Sequence, residues 1–94
     1  MTEGGLALES FPRLAPGVRL KFDETRQQWI VLAPERVLVP DETALEVLQR
    51  CDGATRLDAL IDDLARSYDA DRGEITTDVQ ELLNGLIEKR LLTI

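Results

Sequence analysis

The sequence predicts an α+β fold: a small winged helix-turn-helix-like domain in which a three-stranded antiparallel sheet is followed by three helices. Three observations predict it. Apolar and polar residues alternate strictly from Val18, the period of a half-buried strand, and the strand-like pattern ends at Pro40. From Asp41 onward the apolar period lengthens to that of amphipathic helices. The chain has 94 residues, 44% of them apolar, which suits one domain with a modest core.

Residues 1–15 hold two glycines, a proline and scattered apolar residues without period, so they read as a flexible N-terminal segment ahead of a domain spanning 16–94. Leu6, Leu8, Phe11 and Leu14 are available for local packing. In the first strand Val18, Leu20 and Phe22 share one face, and Arg19, Lys21 and Asp23 share the other. Asp23 to Arg26 is a polar hairpin turn of about four residues. The second strand runs from Gln27 to Leu32, with Trp29 and Val31 alternating with Ile30 and Leu32. Apolar residues on both faces place it at the centre of the sheet. Pro34-Glu35 forms the next turn, and Arg36-Val37-Leu38-Val39 is a short third strand. Pro40 cannot donate to a ladder, which suits a sheet edge.

Asp41 is a good N-cap for a first helix whose apolar face is Ala44, Leu45, Leu48 and Cys51, with Gly53 as a left-handed C-cap. Thr55-x-x-Asp58 resembles a capping box for the second helix. There Leu57, Leu60, Ile61, Leu64, Ala65 and Tyr68 recur at helical spacing. Asp71-x-x-Glu74 opens a third helix running to about Arg90, and Leu91 to Ile94 either adds a brief strand or frays. On the third helix, Ile75, Val79, Leu82 and Leu86 form a narrow stripe that reads as the core contact. Leu83 and Ile87 lie about 80–120° round from Ile75. Thr76, Gln80 and Arg90 lie near them. This flanking pair is either the margin of a wide core face or one wall of a groove.

The composition excludes several function classes. Eleven basic against eighteen acidic residues give a net charge of −7, which disfavours phosphate backbones and anionic membrane surfaces. The third helix carries acids and no Lys or Arg from Glu74 to Glu88, so it is not a DNA-reading helix. There is no histidine, and no nucleophile–base arrangement stands out. Cys51 falls on a core face, adjacent Asp62 and Asp63 do not face each other on a helix, and neither Gly4-Gly5 nor Gly73 opens a phosphate loop. Trp29 and Tyr68 read as packing residues, and Arg19 and Lys21 as a solvated face. No catalytic, metal-ligating or cofactor-binding residue is expected. A lone cysteine, with no signal-like or transmembrane run, points to the cytoplasm.

Pro16-Gly17-Val18-Arg19-Leu20 with Asp23, Trp29 to Leu32 and Ala33-Pro34-Glu35 occur in an order and spacing that continue through the helices. There they meet Leu45, Leu48, Cys51-Asp52-Gly53, Leu64 to Tyr68, and Ile75 with Asp78-Val79 and Leu82. In these residues the chain resembles the pyrroloquinoline quinone biosynthesis protein D (PqqD) family, from about Phe11 to Ile94. It departs at Lys89-Arg90, where relatives often carry a glycine. The resemblance implies a non-enzymatic, winged-helix peptide chaperone. Such a protein binds a ribosomally made precursor peptide and presents it to a radical S-adenosylmethionine enzyme, which crosslinks a glutamate and a tyrosine of that precursor. It implies that the peptide pairs with the third strand (Arg36, Val37, Leu38, Val39) and lies against the third helix (Thr76, Gln80, Leu83, Ile87, Arg90). Related domains serve other peptide-modifying pathways. A further alternative is a small interaction subunit that exchanges strands in a homodimer instead of working as a monomer. The surface facing the radical enzyme is assigned only to the region of Asp62, Asp63 and Arg66.

Overall fold

The computed structural model describes residues 6–94. Its elements, in order, are β1 (Arg13–Leu14), β2 (Arg19–Asp23), β3 (Gln28–Ala33), β4 (Arg36–Leu38), α1 (Glu42–Gln49), α2 (Leu57–Tyr68), α3 (Arg72–Glu88) and β5 (Leu92–Thr93). The fold is the expected α+β winged arrangement. The sheet is antiparallel in the order β2-β3-β4, which leaves β4 at one edge, and a separate two-stranded ladder joins β1 to β5.

The alternation sorts most side chains of this hairpin as expected: Val18 and Val31 are buried, and Arg19 and Lys21 are exposed. Phe22, expected on the buried face, is instead exposed near the end of β2, where it meets Trp29 edge-to-face at 5.5 Å. The β2–β3 turn is fixed by the Asp23 carboxylate, which accepts from the Thr25 and Arg26 amides at 3.0 and 3.4 Å. Pairing of Ala33 with Arg36 leaves Pro34-Glu35 as a two-residue connection to β4. That strand ends at Leu38, one residue short of the expected Val39.

Among the helix starts, Asp41 accepts from the Ala44 amide at 2.8 Å and Asp71 from the Glu74 amide at 3.1 Å, as the sequence predicts. The start of α2 differs. Arg56 is its N-cap residue with no side-chain cap, and Thr55 instead donates its hydroxyl to Asp52 at 3.2 Å. The carboxylate of Asp52 also accepts from the Ala54 and Thr55 amides, so it closes the α1–α2 turn in place of the expected capping box. Gly53 (φ +77°) lies beyond the end of α1 rather than capping it. Its amide donates to the Pro12 carbonyl, and an added Cβ would stand 3.4 Å from the Arg13 side chain.

The expected flexible segment also differs from Leu6 onward; residues 1–5 lie outside the described residues. Pro12 is fully buried. The Ser10 and Leu8 carbonyls accept from the Leu57 and Asp58 amides at 2.8 and 2.9 Å, and β1 pairs with β5. This strap holds the start of α2, which supplies its own first-turn amides with no side-chain acceptor at the N-cap.

The core gathers Leu57, Leu60, Ile61 and Leu64 of α2, Val47 and Leu48 of α1, Val79 and Leu83 of α3, Val31 of β3, and Leu91 and Leu92. Outside it, Arg50 ties α1 to α2 through Asp63 at 2.6 Å, and Arg72 pairs with Asp62. The Arg50 hydrogen bond and charge hold the Asp63 carboxyl below its usual range. A depressed carboxyl pKa contributes stability above the unfolded value, and that contribution is lost as pH falls through the folded value. Asp63→Asn is therefore expected to flatten the decline of the melting temperature below about pH 4, the ordinary carboxylate region, in thermal melts followed by circular dichroism.

Candidate functional site

The segment from β4 into α1 runs antiparallel along α3. At one end the Arg36 guanidinium donates to the Lys89 carbonyl at 2.9 Å, closing the C-terminus of α3. At the other, Asp41, Thr43 and Ala44 face Ile75, Asp78 and Leu82 across a depression of about 340 Å³. The spans agree: five extended residues at ~3.3 Å cover about 16 Å, as do eleven helical residues at ~1.5 Å. The strip between these two ends, with the β4 edge on one side and α3 on the other, is called the groove.

The backbone of β4 is arranged to serve that edge. In a two-residue hairpin the flanking pair, here Ala33 and Arg36, forms the hydrogen-bonded pair. Ladder alternation then directs the N–H and C=O of Val37 away from β3, and continuing it does the same for Val39. Leu38 packs against the core, whereas Val37 and Val39 are 57% and 59% exposed. An unpaired edge of this kind is a template for one more extended chain.

The α3 wall differs from the sequence assignment. Leu83, expected on the flank and implied as a peptide contact, is 0% exposed and belongs to the core beside Val79 at 4%. Ile75, Leu82 and Leu86, expected as the core stripe, are instead partly exposed and pack at the core's margin. The core contact is therefore centred between Val79 and Leu83, because α3 must cover both α2 and the terminal Leu91-Leu92 turn. The apolar wall facing the α1 end of the groove is Ile75 and Leu82.

The remaining positions divide between the two sides of α3. Ile87 is partly buried against the core, Thr76 turns its hydroxyl back to the Arg72 carbonyl at 2.7 Å, and Gln80 donates to the Leu6 carbonyl at 3.3 Å. Gln80 is thus engaged by the N-terminal strap at Leu6. Arg90 is exposed in the left-handed region (φ 64°), and with Arg36 and Lys89 it surrounds a second depression of 270 Å³ beside Pro34 and Leu91. Sequence reasoning missed Ile75 and Leu82 as groove residues.

Cys51 is buried, and burial pushes its thiol pKa up to about 12, far from a nucleophilic thiolate. Asp62 and Asp63 pair with separate arginines. Among the described residues no cluster suits a metal ion, and no helix is long and apolar enough to cross a membrane.

A family model described as Coenzyme PQQ synthesis protein D (PqqD) matches residues 28–92. A PqqA binding protein of Rhodopseudomonas palustris (strain BisB5) is 56% identical over 84 residues, covering 89% of this chain and 82% of the relative. A PqqA binding protein of Xanthomonas campestris pv. campestris (strain B100) is 49% identical over 87 residues, covering 93% and 95%. The solution structure of the PqqD truncation of Methylobacterium extorquens PqqCD is described as a functional, stand-alone recognition element for ribosomally synthesized and post-translationally modified peptides. It superposes with a TM-score of 0.78 at 38% identity over the full length of both chains. The crystal structure of PqqD from Xanthomonas campestris superposes with a TM-score of 0.59 at 48% identity, covering 96% of this chain and 100% of the other.

Proposed function

The chain belongs to the PqqD family, and from that premise we propose that it is a peptide chaperone of pyrroloquinoline quinone (PQQ) biosynthesis. It holds the ribosomally made precursor peptide in the cytoplasm as an added strand on β4 and presents it to a radical S-adenosylmethionine enzyme. The relatives named for binding PqqA support the peptide as ligand. One observation supports the mode of binding: the backbone of Val37 and Val39 points away from β3 at the sheet edge, and the chain leads from there at Asp41 into the depression walled by Ile75 and Leu82. Main-chain hydrogen bonds to such an edge give affinity, and alternate side chains reaching an apolar wall give selectivity. The protein acts by binding and positioning. Its one cysteine is buried, and the sequence supplies no histidine for general acid–base work.

Isothermal titration of the precursor peptide into the protein tests the reading. Saturable binding at micromolar concentration is expected, and its absence would remove the proposal. Val37→Pro deletes an outward N–H without taking a donor from the β3 ladder. It is expected to weaken binding by about tenfold, the worth of one or two net hydrogen bonds at ~1 kcal/mol each, with the far-ultraviolet circular dichroism unchanged. The competing occupant of this edge is a second copy of the chain. Sedimentation at micromolar concentration separates the two: a tight dimer that binds no peptide would favour strand exchange.

A further inference from the structure

The two ends of the groove carry opposite charge. At the start of β4, Arg36, Lys89 and Arg90 gather against a single carboxylate, Glu35. Glu88 lies on the opposite side of α3 from Leu86 at ~100° per residue. At the α1 end, Asp41, Glu74 and Asp78 line the apolar depression with no lysine or arginine among its walls. Tyr68, on the same wall, titrates above the usual phenol range, through desolvation first and then through the carboxylates of Glu46 and Glu42. The other cations of this region are engaged elsewhere: Arg50 with Glu46 and Asp63, and Arg72 with Asp62.

Arg90 adds an independent observation. Its φ of 64° closes α3 with the Leu91 amide bonded to the Leu86 carbonyl at 2.9 Å. Glycine takes that conformation without steric cost, whereas a residue with a Cβ is strained there. A cation thus occupies a strained position at the mouth of the groove, with its side chain exposed and no ion pair among the described residues.

We propose that this charge order selects the direction and register of the bound peptide. Resting on the proposed peptide-binding role, the inference is that the groove takes an extended segment with acidic side chains C-terminal to its apolar anchors and a basic residue or free amine N-terminal to them. Antiparallel pairing with β4 then brings the acidic flank to Arg36, Lys89 and Arg90 and the N-terminal flank to Asp41, Glu74 and Asp78. Antiparallel ladders are also the slightly more stable of the two pairings per residue. Like charges at both ends oppose the reversed peptide.

Three measurements on the full chain test this. Arg90→Gly relieves backbone strain and removes one cation. It is expected to raise the melting temperature by a few degrees while weakening precursor binding roughly two- to fivefold, the range of one exposed ion pair. Unchanged affinity in the more stable variant would overturn the role of the charge. For direction, the precursor peptide carries a nitroxide on a cysteine added at either terminus, and amide broadening is read by NMR. The C-terminal label is expected to broaden Arg36, Lys89 and Arg90, and the N-terminal label Asp41, Thr43 and Asp78. A synthetic variant with its acidic and basic flanks exchanged should bind several-fold more weakly. Broadening within the groove but in reversed order, or equal affinity for the exchanged peptide, overturns the charge-order inference alone. Broadening outside the groove, or no binding, overturns the binding-site reading and this inference with it.

Discussion

Leu83→Asp is expected to unfold the domain, not to produce a folded protein that merely fails to bind. Leu83 is 0% exposed and sits among Leu57, Leu60 and Ile61 in the centre of the core. Truncation of such a leucine costs about 2–5 kcal/mol in transfer and cavity terms. An aspartate adds the cost of burying a carboxyl with no partner, which is several kcal/mol more even when the group is protonated. Natural domains have only about 5–15 kcal/mol in total, and one of this size lies toward the lower end. Far-ultraviolet circular dichroism and urea titration check it: the variant should lack a cooperative transition at 25 °C. A folded Leu83→Asp variant with near wild-type stability would mean that the side chain faces the groove after all.

Leu82→Asp, one residue earlier, is expected to behave in the opposite way. Leu82 is partly exposed at the margin of the core and lines the groove with Ile75 and Ala44. Its carboxylate would reach water, so the fold should survive with a lowered but cooperative transition. It would also place a charge where an apolar anchor of the peptide is to be desolvated, and beside Asp78 at the acidic end of the groove. Loss of a central apolar contact typically costs 2 kcal/mol or more in binding, at least ~30-fold in affinity. Titration calorimetry on the folded variant reads this directly, and Ile75→Asp should reproduce it. If Leu82→Asp binds the precursor as tightly as the parent chain, Leu82 does not form the receiving wall.

The contrast between these neighbours also shows what the sequence revealed and where it fell silent. Strict alternation in Val18 to Phe22 and the doubly apolar Trp29 to Leu32 were enough to order β2, β3 and β4, because a period of two has only one buried face to choose. Asp41 and Asp71 marked two helix starts through the capping chemistry of their carboxylates. Thr55 misled because the Asp52 carboxylate had already captured the turn, a choice among nearby acceptors that local pattern does not decide. The strap from Leu6 to Leu14 was illegible for a different reason: its packing is irregular, so its apolar residues have no period.

On α3, periodicity gave the width of the apolar arc, about 140° from Leu82 to Ile87 at ~100° per residue, but not which part of it is buried. Dense clustering drew the assignment to Ile75, Leu82 and Leu86, yet the midpoint of the arc falls between Val79 and Leu83, where the core is centred. The edge strand was legible from its brevity and from Pro40. Its outward amides became assignable only with the register Ala33–Arg36 and Leu32–Val37 in hand.

Whether the precursor peptide becomes a strand on β4 is measured directly by cross-strand nuclear Overhauser effects in the complex of isotope-labelled protein with unlabelled peptide. Expected are contacts from peptide backbone protons to Val37 and Val39, slowed exchange of those two amides, and side-chain contacts to Ile75 and Leu82. Contacts to the opposite sheet edge at Arg19 to Asp23, with the Val37 and Val39 amides still exchanging freely, would contradict that pairing.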